Sequence, residues 1–332
     1  MAEEIFPDLF RIKIPLPDTP LKYLNSYVIK AHPRSLIIDT GLNHEVCLNA
    51  MREGLAEISL DLDQADIFIT HLHADHFGLV TKLANENTRV FFNRPDAEII
   101  ENWQGFEPMI RYAVKNGLSE DTLRESLSKH PGRKFGTDWR PPLNILSDGQ
   151  QMTVGPYQFT CIHTPGHTRG HMCLYEPNKK FLIAGDHILI NITPNIQCWT
   201  EDDDPLKNYL ESLDKTRALD VEMVLPGHRR LFENCRARID ELKAHHAARL
   251  EEVLDILADQ SPLDAFQTAS YMRWDIEAEN WAAFPPAQKW FATGEAISHL
   301  RCLENKGKIH RVDEDPVIRY ALAESQGKGK PQ

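Results

Sequence analysis

Thr70-His71-Leu72-His73-Ala74-Asp75-His76-Phe77-Gly78 follows an apolar run, 66–69 (DIFI), that predicts a short buried strand. Three histidines and one aspartate therefore stand within six residues, at the end of a strand. Neutral imidazole and carboxylate are ligands for zinc and for other first-row metals. The stretch predicts a metal-binding loop rather than a solvated polar turn.

Three further metal-capable residues recur in matching contexts. His167 stands in 164–168 (TPGHT), Asp186 in 184–187 (AGDH) and His228 in 225–228 (LPGH). Each follows a strand-like run and lies beside a glycine, which lets the backbone turn sharply and bring the next side chain inward. The ordered set, HxHxDH and then His, Asp and His, predicts one metal centre assembled from distant parts of the chain.

This ordered set resembles that of the metallo-β-lactamase-fold hydrolases, and among them the glyoxalase II-like branch, from about residue 8 to 232. The resemblance implies an α+β four-layer αβ/βα sandwich, with two packed sheets, helices outside and two metals at one edge. It implies that His71, His73 and His167 hold a first metal. It implies that Asp75, His76 and His228 hold a second and that Asp186 bridges the two. It also implies that Asp39 in 37–41 (IIDTG) braces the ligand loop, although a turn residue at a strand end is an alternative.

The chemistry that this resemblance implies is hydrolysis. Two divalent metals about 3.5–4 Å apart share a water and lower its pKa, which gives a bridging hydroxide as nucleophile. Asp75 would steer that hydroxide or accept its proton. Zn²⁺ is the expected ion, with Fe and Mn open. Flavodiiron relatives carry Glu where His73 stands, so the sequence favours hydrolysis over redox chemistry.

The expected substrate is a small ester-like molecule, a thioester or a lactone. Candidate walls of its pocket are aromatic: Phe77, Trp103, Tyr112 and Trp199. One alternative is a nucleic-acid phosphodiester hydrolase that uses the C-terminal region as a clamp. That region carries a modest excess of cations: Lys289, Arg301, Lys306, Lys308 and Arg311. Halide displacement from an activated aromatic and a scaffold without metals are further alternatives.

The C-terminal third has a different character. Apolar residues recur at helical spacing after residue 235, and two more helices and a hairpin around 306–312 (KGKIHRV) are expected. This pattern is similar to the winged-helix-like domain of the lactamase-β-like branch. We predict a catalytic domain over 1–234 with a helical insertion at about 102–136, either packing or a lid. A winged-helix-like domain over 235–322 and a disordered tail over 323–332 complete the prediction.

Composition limits the partners. The net charge of the 332 residues is −12, which argues against a nucleic-acid partner, and no apolar run is long enough to span a membrane. Six scattered cysteines and an acidic N-terminus without a secretory signal favour the cytoplasm. We leave a homodimer open. Among the other histidines, His246 is expected near the core, and His163, His171 and His187 are candidates to support the ligands.

Overall fold

The structure, a computed structural model, describes residues 1–17, 19–128, 142–313 and 316–323, and the chain divides into two compact units. Unit 1 comprises Met1–Trp103, Ser128–Pro194 and Asn208–Leu242. Unit 2 comprises Gln104–Leu127, Asn195–Lys207 and the described part of Lys243–Gln332. The sequence predicts one boundary after residue 234, whereas this division falls after Leu242 and joins two earlier segments to the C-terminal one.

Unit 1 contains a seven-stranded sheet whose strands lie side by side in chain order. Its strands are β1 (Ala2–Phe6), β2 (Leu9–Pro15), β3 (Tyr23–Ile29), β4 (Ser35–Ile38), β5 (Ala65–Phe68), β6 (Val90–Asn93) and β7 (Leu143–Leu146). Neighbours from β1 to β4 pair antiparallel, and neighbours from β4 to β7 pair parallel. The carboxyl ends of β4 to β7 therefore meet at one edge, which is where loops can gather a site.

A second sheet of unit 1 has five strands in the order β12-β11-β10-β9-β8. These strands are β8 (Gln151–Val154), β9 (Tyr157–His163), β10 (Met172–Glu176), β11 (Phe181–Gly185) and β12 (Met223–Pro226). Buried residues of the two sheets form one core, with Ile38 and Phe68 from the first and Phe159 and Ile183 from the second. Burying both inner faces against each other supplies the main hydrophobic driving force for this unit.

Helices cover the outer faces of the sandwich. On the first sheet they are α1 (Glu45–Glu57), α2 (Ala74–Phe77), α3 (Val80–Leu83) and α4 (Arg94–Glu101). Met51 and Leu79 pack with Ile12 and Ile37 in a second core cluster. Helix α7 (Pro205–Arg217) buries Tyr209 and Leu213, and Ser212 donates a hydrogen bond to the Pro165 carbonyl. The predicted sandwich of two sheets with helices outside is confirmed.

Unit 2 is mainly helical. It contains α5 (Glu107–Lys115), α6 (Glu120–Ser128), most of α8 (Cys235–Gln260), α9 (Ala265–Tyr271), α10 (Pro286–Asn305) and the hairpin β13 (Ile309–Asp313) and β14 (Arg319–Leu322). The predicted C-terminal helices and hairpin are present, while their winged-helix character stays a prediction. Helices α5 and α6 bury Ile110 and Leu123 in a cluster with Trp290, so these two helices of the insertion pack within unit 2.

The motifs of the sequence do not predict five of the observed elements: β1, β7, β8, α4 and α7. Strand β8 is only four residues long, and helix α4 is only eight, too short to show a clear period. The predicted disordered tail at 323–332 lies outside the described residues except for residue 323, and so does the end of the insertion at 129–136. Within the described ranges, we find no helix with the length and apolar character needed to cross a membrane.

Candidate metal centre

Four segments of unit 1 carry the seven predicted ligand side chains; Asp75 and His76 lie in the short helix α2, and the other five lie in loops. Residues 71–76 follow β5, His167 lies between β9 and β10, Asp186 directly follows β11, and His228 follows β12. These side chains form three overlapping groups in which the candidate ligand atoms lie within 4.8 Å of one another. The groups are His71, His73 and His167; His71, His76 and Asp186; and Asp75, His76 and His228.

The three-histidine group is compact. Nδ1 of His73 lies 3.1 Å from Nε2 of His71 and 3.0 Å from Nε2 of His167. His71 is fully buried, and the rings of His73 and His167 meet edge to face. Three ring nitrogens therefore face one small volume, in the arrangement that a first-row metal needs.

Asp186 lies between this group and the other histidines. Its Oδ1 is 3.6 Å from Nε2 of His76, and its Oδ2 is 3.7 Å from Nε2 of His167 and 3.5 Å from Nε2 of His228. The second carboxylate, Asp75, places Oδ2 3.2 Å from Nε2 of His228. The two oxygens of Asp186 thus reach both sides of the cluster, as a bridging ligand requires; the bridging role itself stays a prediction.

Hydrogen bonds behind the rings fix which nitrogen faces the cluster. Nδ1 of His228 lies 2.9 Å from the Tyr23 carbonyl oxygen, which only accepts, so Nδ1 carries the proton and Nε2 faces inward. The Thr70 hydroxyl donates to Asp39 at 2.8 Å, so it accepts from Nδ1 of His71 at 3.0 Å. Both histidines are therefore held in the tautomer that leaves Nε2 available to a metal.

Asp39 supports the ligand loop from below. Its Oδ1 accepts from the Thr70 amide at 2.8 Å, and its Oδ2 lies 2.7 Å from Nδ1 of His76. The residue is 2% exposed and has a positive φ of 58°, a conformation that Asp tolerates better than most residues. The structure places Asp39 beneath the ligand loop, where the resemblance implies it; its contribution to metal binding stays a prediction.

Three buried atoms that could bind a metal make no hydrogen bond within the described part of the chain: Nε2 of His76, Nε2 of His228 and Oδ1 of Asp186. Leaving such atoms unsatisfied is costly unless a ligand completes them. Gly227 keeps the space beside them open, because a Cβ there would lie 2.7 Å from Asp186 Oδ1 and 2.9 Å from His76 Cε1. The residues present therefore fit divalent metal ions.

The charges in the cluster also call for cations. Burial alone would lower the pKa of the His228 imidazole. The negative charge of Asp186 has the larger effect and raises that pKa to about 10. Burial likewise lowers the pKa of His73 to about 3, and neighbouring His167 adds to the shift. The carboxylates thus stabilise positive charge on the side of Asp75 and His228, while the three-histidine group offers the lone pairs of neutral imidazoles. Metal ions would supply the positive charge and accept the lone pairs, and their binding would displace protons from the ligands.

The four predicted pocket walls have different surroundings, and two of them, Tyr112 and Trp199, belong to unit 2. Phe77 is 6% exposed and packs against Phe92 in the core, and Tyr112 is buried and accepts a hydrogen bond from Arg301. Trp199 packs against Trp290 in unit 2. Trp103 is exposed on unit 1. Phe77 and Tyr112 are thus core residues instead of pocket walls, because each side chain is enclosed by its own unit.

The three candidate supporting histidines have different surroundings. His171 accepts from the Asp186 amide through Nε2 at 3.1 Å, so it orients the backbone of the candidate bridge. His187 contacts the Thr216 hydroxyl at 3.0 Å, and His163 donates to the Arg169 carbonyl at 3.0 Å. His171 is thus the histidine whose ring holds the backbone of a candidate ligand in place.

Sequence reasoning missed Asp96, which is fully buried in the first turn of α4. Its carboxylate accepts hydrogen bonds from the loops on both sides of the three-histidine group. Burial raises the pKa of Asp96 to about 6, and its hydrogen-bond donors oppose that rise. The only local signal is an aspartate at the start of a helix, which is common for reasons of helix capping alone.

Fold and site together define a class. The fold is a two-sheet sandwich whose strand ends bring histidines and aspartates together, and the site has buried atoms available to bind cations. This combination defines a metal-dependent hydrolase. Residues 20–228 match the family model described as "Metallo-beta-lactamase superfamily", and residues 283–323 match "Metallo-beta-lactamase-like, C-terminal domain". The chain belongs to the metallo-beta-lactamase superfamily.

Relatives and solved structures agree with this membership. The probable metallo-hydrolase YqjP of Bacillus subtilis is 26% identical over 329 residues, covering 94% of this chain and 97% of that protein. The acyl-coenzyme A thioesterase MBLAC2 of Bos taurus is 29% identical over 225 residues, covering 63% of this chain and 74% of that one. The metallo-beta-lactamase family protein TTHA1429 of Thermus thermophilus superposes with a TM-score of 0.81 at 29% identity, covering 96% of this chain and 100% of that one.

Proposed function

We propose that the chain hydrolyses acyl thioesters at the metal centre of unit 1, with a lactone as the alternative ester-like substrate. The proposal of hydrolysis rests on three buried atoms that could bind a metal and that make no hydrogen bond: Nε2 of His76, Nε2 of His228 and Oδ1 of Asp186. The thioester part rests on the similarity to a protein described as an acyl-coenzyme A thioesterase. A small-molecule substrate is the only partner that this function needs.

The ligands that we propose follow the two sides of the cluster. His71, His73 and His167 would hold one metal, Asp75, His76 and His228 would hold the other, and Asp186 would contact both. Bound there, two divalent ions supply Lewis acidity and an activated water at neutral pH. We propose Zn²⁺ as the ion, because a site rich in imidazole suits it, with Fe and Mn as alternatives.

The chain itself contributes orientation and a proton acceptor. The Tyr23 carbonyl and Thr70 hydroxyl hold two imidazoles with Nε2 inward. Asp75 has a side chain that is 20% exposed, compared with 9% for Asp186. Oδ2 of Asp75 faces His228, so we propose that Oδ1 accepts the proton released during attack and passes it to solvent.

The compartment that we propose is the cytoplasm. All six cysteines are free and buried within the described residues, so none forms a stabilising disulfide. Burial raises the pKa of Cys173 and of Cys235 to about 12, which keeps both thiols protonated and unreactive. Inert thiols suit a reducing compartment.

The test is a substrate panel with Zn²⁺-loaded protein: acyl-coenzyme A thioesters of several chain lengths, a γ-lactone, an activated phosphodiester and single-stranded RNA. We expect kcat/KM for a thioester to exceed that for the phosphodiester by at least ~10²-fold, a difference of about 2.7 kcal/mol in transition-state stabilisation. Asp186→Asn should abolish turnover. Glu176→Gln is the matched control, because Glu176 is a buried carboxylate of the second sheet that accepts from the Lys179 amide. A preference for the phosphodiester would replace this proposal with the nuclease alternative.

A further inference from the structure

Asp96 connects two loops that approach the three-histidine group from different parts of the chain. Its Oδ2 accepts from the Leu72 amide at 3.0 Å and from the Thr168 hydroxyl at 2.8 Å. Its Oδ1 accepts from the Gly170 amide at 2.7 Å. Leu72 lies between His71 and His73 in sequence, and Thr168 follows His167 directly, so one carboxylate holds the backbone on both sides of the group.

The position of Asp96 is itself fixed. It stands in the first turn of α4, where the Asn93 side chain accepts from the Asp96 amide at 2.9 Å. The turn at Gly170 packs against this helix start so closely that a Cβ on Gly170 would lie 2.6 Å from the Asp96 nitrogen. Asp96 is fully buried, and water therefore cannot replace its three donors. The carboxylate acts from a rigid support on two loops at once.

Asp39 and Asp96 support the cluster differently: Asp39 reaches both sides, because the Thr70 hydroxyl that donates to Asp39 also accepts from Nδ1 of His71. Asp39 contacts the Thr70 amide and hydroxyl and Nδ1 of His76, which belongs to the side of Asp75 and His228. The Asp96 carboxylate instead accepts from residues that adjoin His71, His73 and His167 along the chain. Loss of Asp96 should therefore affect one metal more than the other.

We propose that Asp96 is a positioning residue that ties the loop of His71 and His73 to the loop of His167 and so sets the metal affinity of the three-histidine group. It does this through backbone amides and one hydroxyl, with no contact to the metal. The inference depends on the metal centre and is independent of which ester-like substrate the enzyme accepts.

The experiment compares Zn²⁺ binding by the full-length wild type and variants, using chelator competition to obtain the two stepwise affinities and elemental analysis to count ions. Asp96→Asn removes the charge and presents an amide donor to the Gly170 amide. We expect the affinity for one Zn²⁺ to fall by ~10–100-fold, the range typical of groups that orient metal ligands, and the other to change by less than about 3-fold. His167→Ala identifies the affected ion, because adding Asp96→Asn to that variant should cause no further loss.

Two further variants separate positioning from general destabilisation. Asp66→Asn is the matched control: Asp66 is a buried carboxylate on β5 that accepts from Arg34 and Arg89 at the end of the strand away from the cluster. It should lower the melting temperature and leave both Zn²⁺ affinities unchanged. Thr168→Val removes a single donor to Asp96, so it keeps the test valid if Asp96→Asn does not fold, and it should weaken one Zn²⁺ by about 3–10-fold.

The proposal is overturned if Asp96→Asn, or Thr168→Val in its place, weakens both Zn²⁺ ions equally or binds both as tightly as the wild type. It is equally overturned if Asp96→Asn still weakens binding in the His167→Ala background. Because Zn²⁺ binding is measured without substrate, failure of the thioester proposal would leave these results unaffected.

Discussion

Oδ2 of Asp39 lies 2.7 Å from Nδ1 of His76, and this contact leaves Nε2 of His76 directed at Asp186, 3.6 Å away. The imidazole is fully buried, so no water competes for either nitrogen. A carboxylate behind a ligating histidine fixes the orientation of the ring and increases its basicity. Asp39 therefore acts on the metal centre through His76, while hydrogen bonds from Ser26 and Thr70 hold Asp39 itself in place.

Substitutions at Asp39 should separate this effect from backbone strain. Asp39→Asn and Asp39→Ala both remove the charge, and we expect each to lower turnover by ~10–100-fold. Ala should cost at least about 1 kcal/mol more stability than Asn, because Asn tolerates the φ of 58° at this position and can still accept from the buried Thr70 amide. Chemical denaturation of both variants, with and without Zn²⁺, measures the difference. Equal free energies of unfolding would show that the positive φ at residue 39 does not destabilise the alanine variant.

The number of metals per chain is the most direct check on the centre. Protein purified without chelator and supplied with Zn²⁺ should hold two ions, because two histidine-containing groups share Asp186. Asp186→Ala should reduce the bound metal and lower activity by at least ~10³-fold, since it removes the charge between the two groups. Elemental analysis of both proteins gives the counts. A single ion in the wild type would contradict the ligand assignment.

Nucleic-acid binding can be tested on the cations of the C-terminal region. Arg301 and Arg311 are not available, because both pair with Glu201 at 3.2 and 2.6 Å within unit 2. Lys289 is half-buried and donates to the Ala282 carbonyl, which leaves the exposed pair Lys306 and Lys308. Lys306→Ala with Lys308→Ala should leave ester hydrolysis within about 2-fold, and the wild type should show no RNA binding at about 0.15 M salt. Salt-dependent RNA binding that this double variant abolishes would favour the nuclease alternative.

Two buried histidines should make unit 2 sensitive to acid. Burial lowers the pKa of His246 to about 2 and of His299 to about 3, and the two rings lie 3.3 Å apart between Nδ1 and Nε2. Both folded pKa values lie below the unfolded value of about 6.5, so their stabilisation is complete above that pH and is lost as pH falls towards 3. Glu295 acts in the opposite sense, because burial raises its pKa to about 7.

His299→Gln isolates one of these titrations. Below pH 6 the wild type should lose stability faster than this variant, by about 1.4 kcal/mol per pH unit, because the variant takes up one proton fewer on unfolding. Urea unfolding at pH 7, 6 and 5, followed by tryptophan fluorescence, measures the two slopes. Unit 2 contains Trp199, Trp274, Trp281 and Trp290, so the signal reports mainly on this unit. Parallel slopes would mean that His299 is protonated in the folded protein.

Gly294 provides a packing test within unit 2. A Cβ on this helical glycine would lie 2.9 Å from Cε2 of Trp199, and the Gly294 carbonyl accepts from the Cys198 amide at 3.1 Å. Gly294→Ala should therefore destabilise by about 1–3 kcal/mol through overpacking, although alanine favours helices. Adding Trp199→Leu should recover part of that loss relative to Trp199→Leu alone. Thermal melting of the four proteins supplies the comparison, and additive effects would rule out the contact as the cause.

The sequence predicted the fold and the identity of the clustered residues because both depend on short motifs. HxHxDH after an apolar run places four candidate ligands on one loop, and the glycines beside His167, Asp186 and His228 mark the other loops. Packing of two sheets then brings the loop ends together at one edge. Local patterns were sufficient here because the candidate ligands lie in the segments that follow strands β5, β9, β11 and β12.

The supporting residues could not be predicted, because their partners are distant in sequence or belong to the backbone. Nothing near Asp96 indicates that Leu72 and Thr168 will donate to it, and the acceptor for His228 is a carbonyl of Tyr23. Aromatic residues were misleading for a related reason. Phe77 lies next to a candidate ligand in sequence, yet helix α2 turns its ring into the core.

The two units alternate along the polypeptide, and this has a consequence for how the gene can change. Unit 2 takes Gln104–Leu127 and Asn195–Lys207 from between segments of unit 1 before it takes the C-terminal stretch. A stop codon after Leu242 would spare unit 1 but leave Ile110 and Leu123 without Trp290, their buried neighbour. A single crossover at any point of the gene cannot transfer one whole unit without also transferring part of the other. One exchange between genes therefore cannot replace the whole of unit 2 while leaving unit 1 intact.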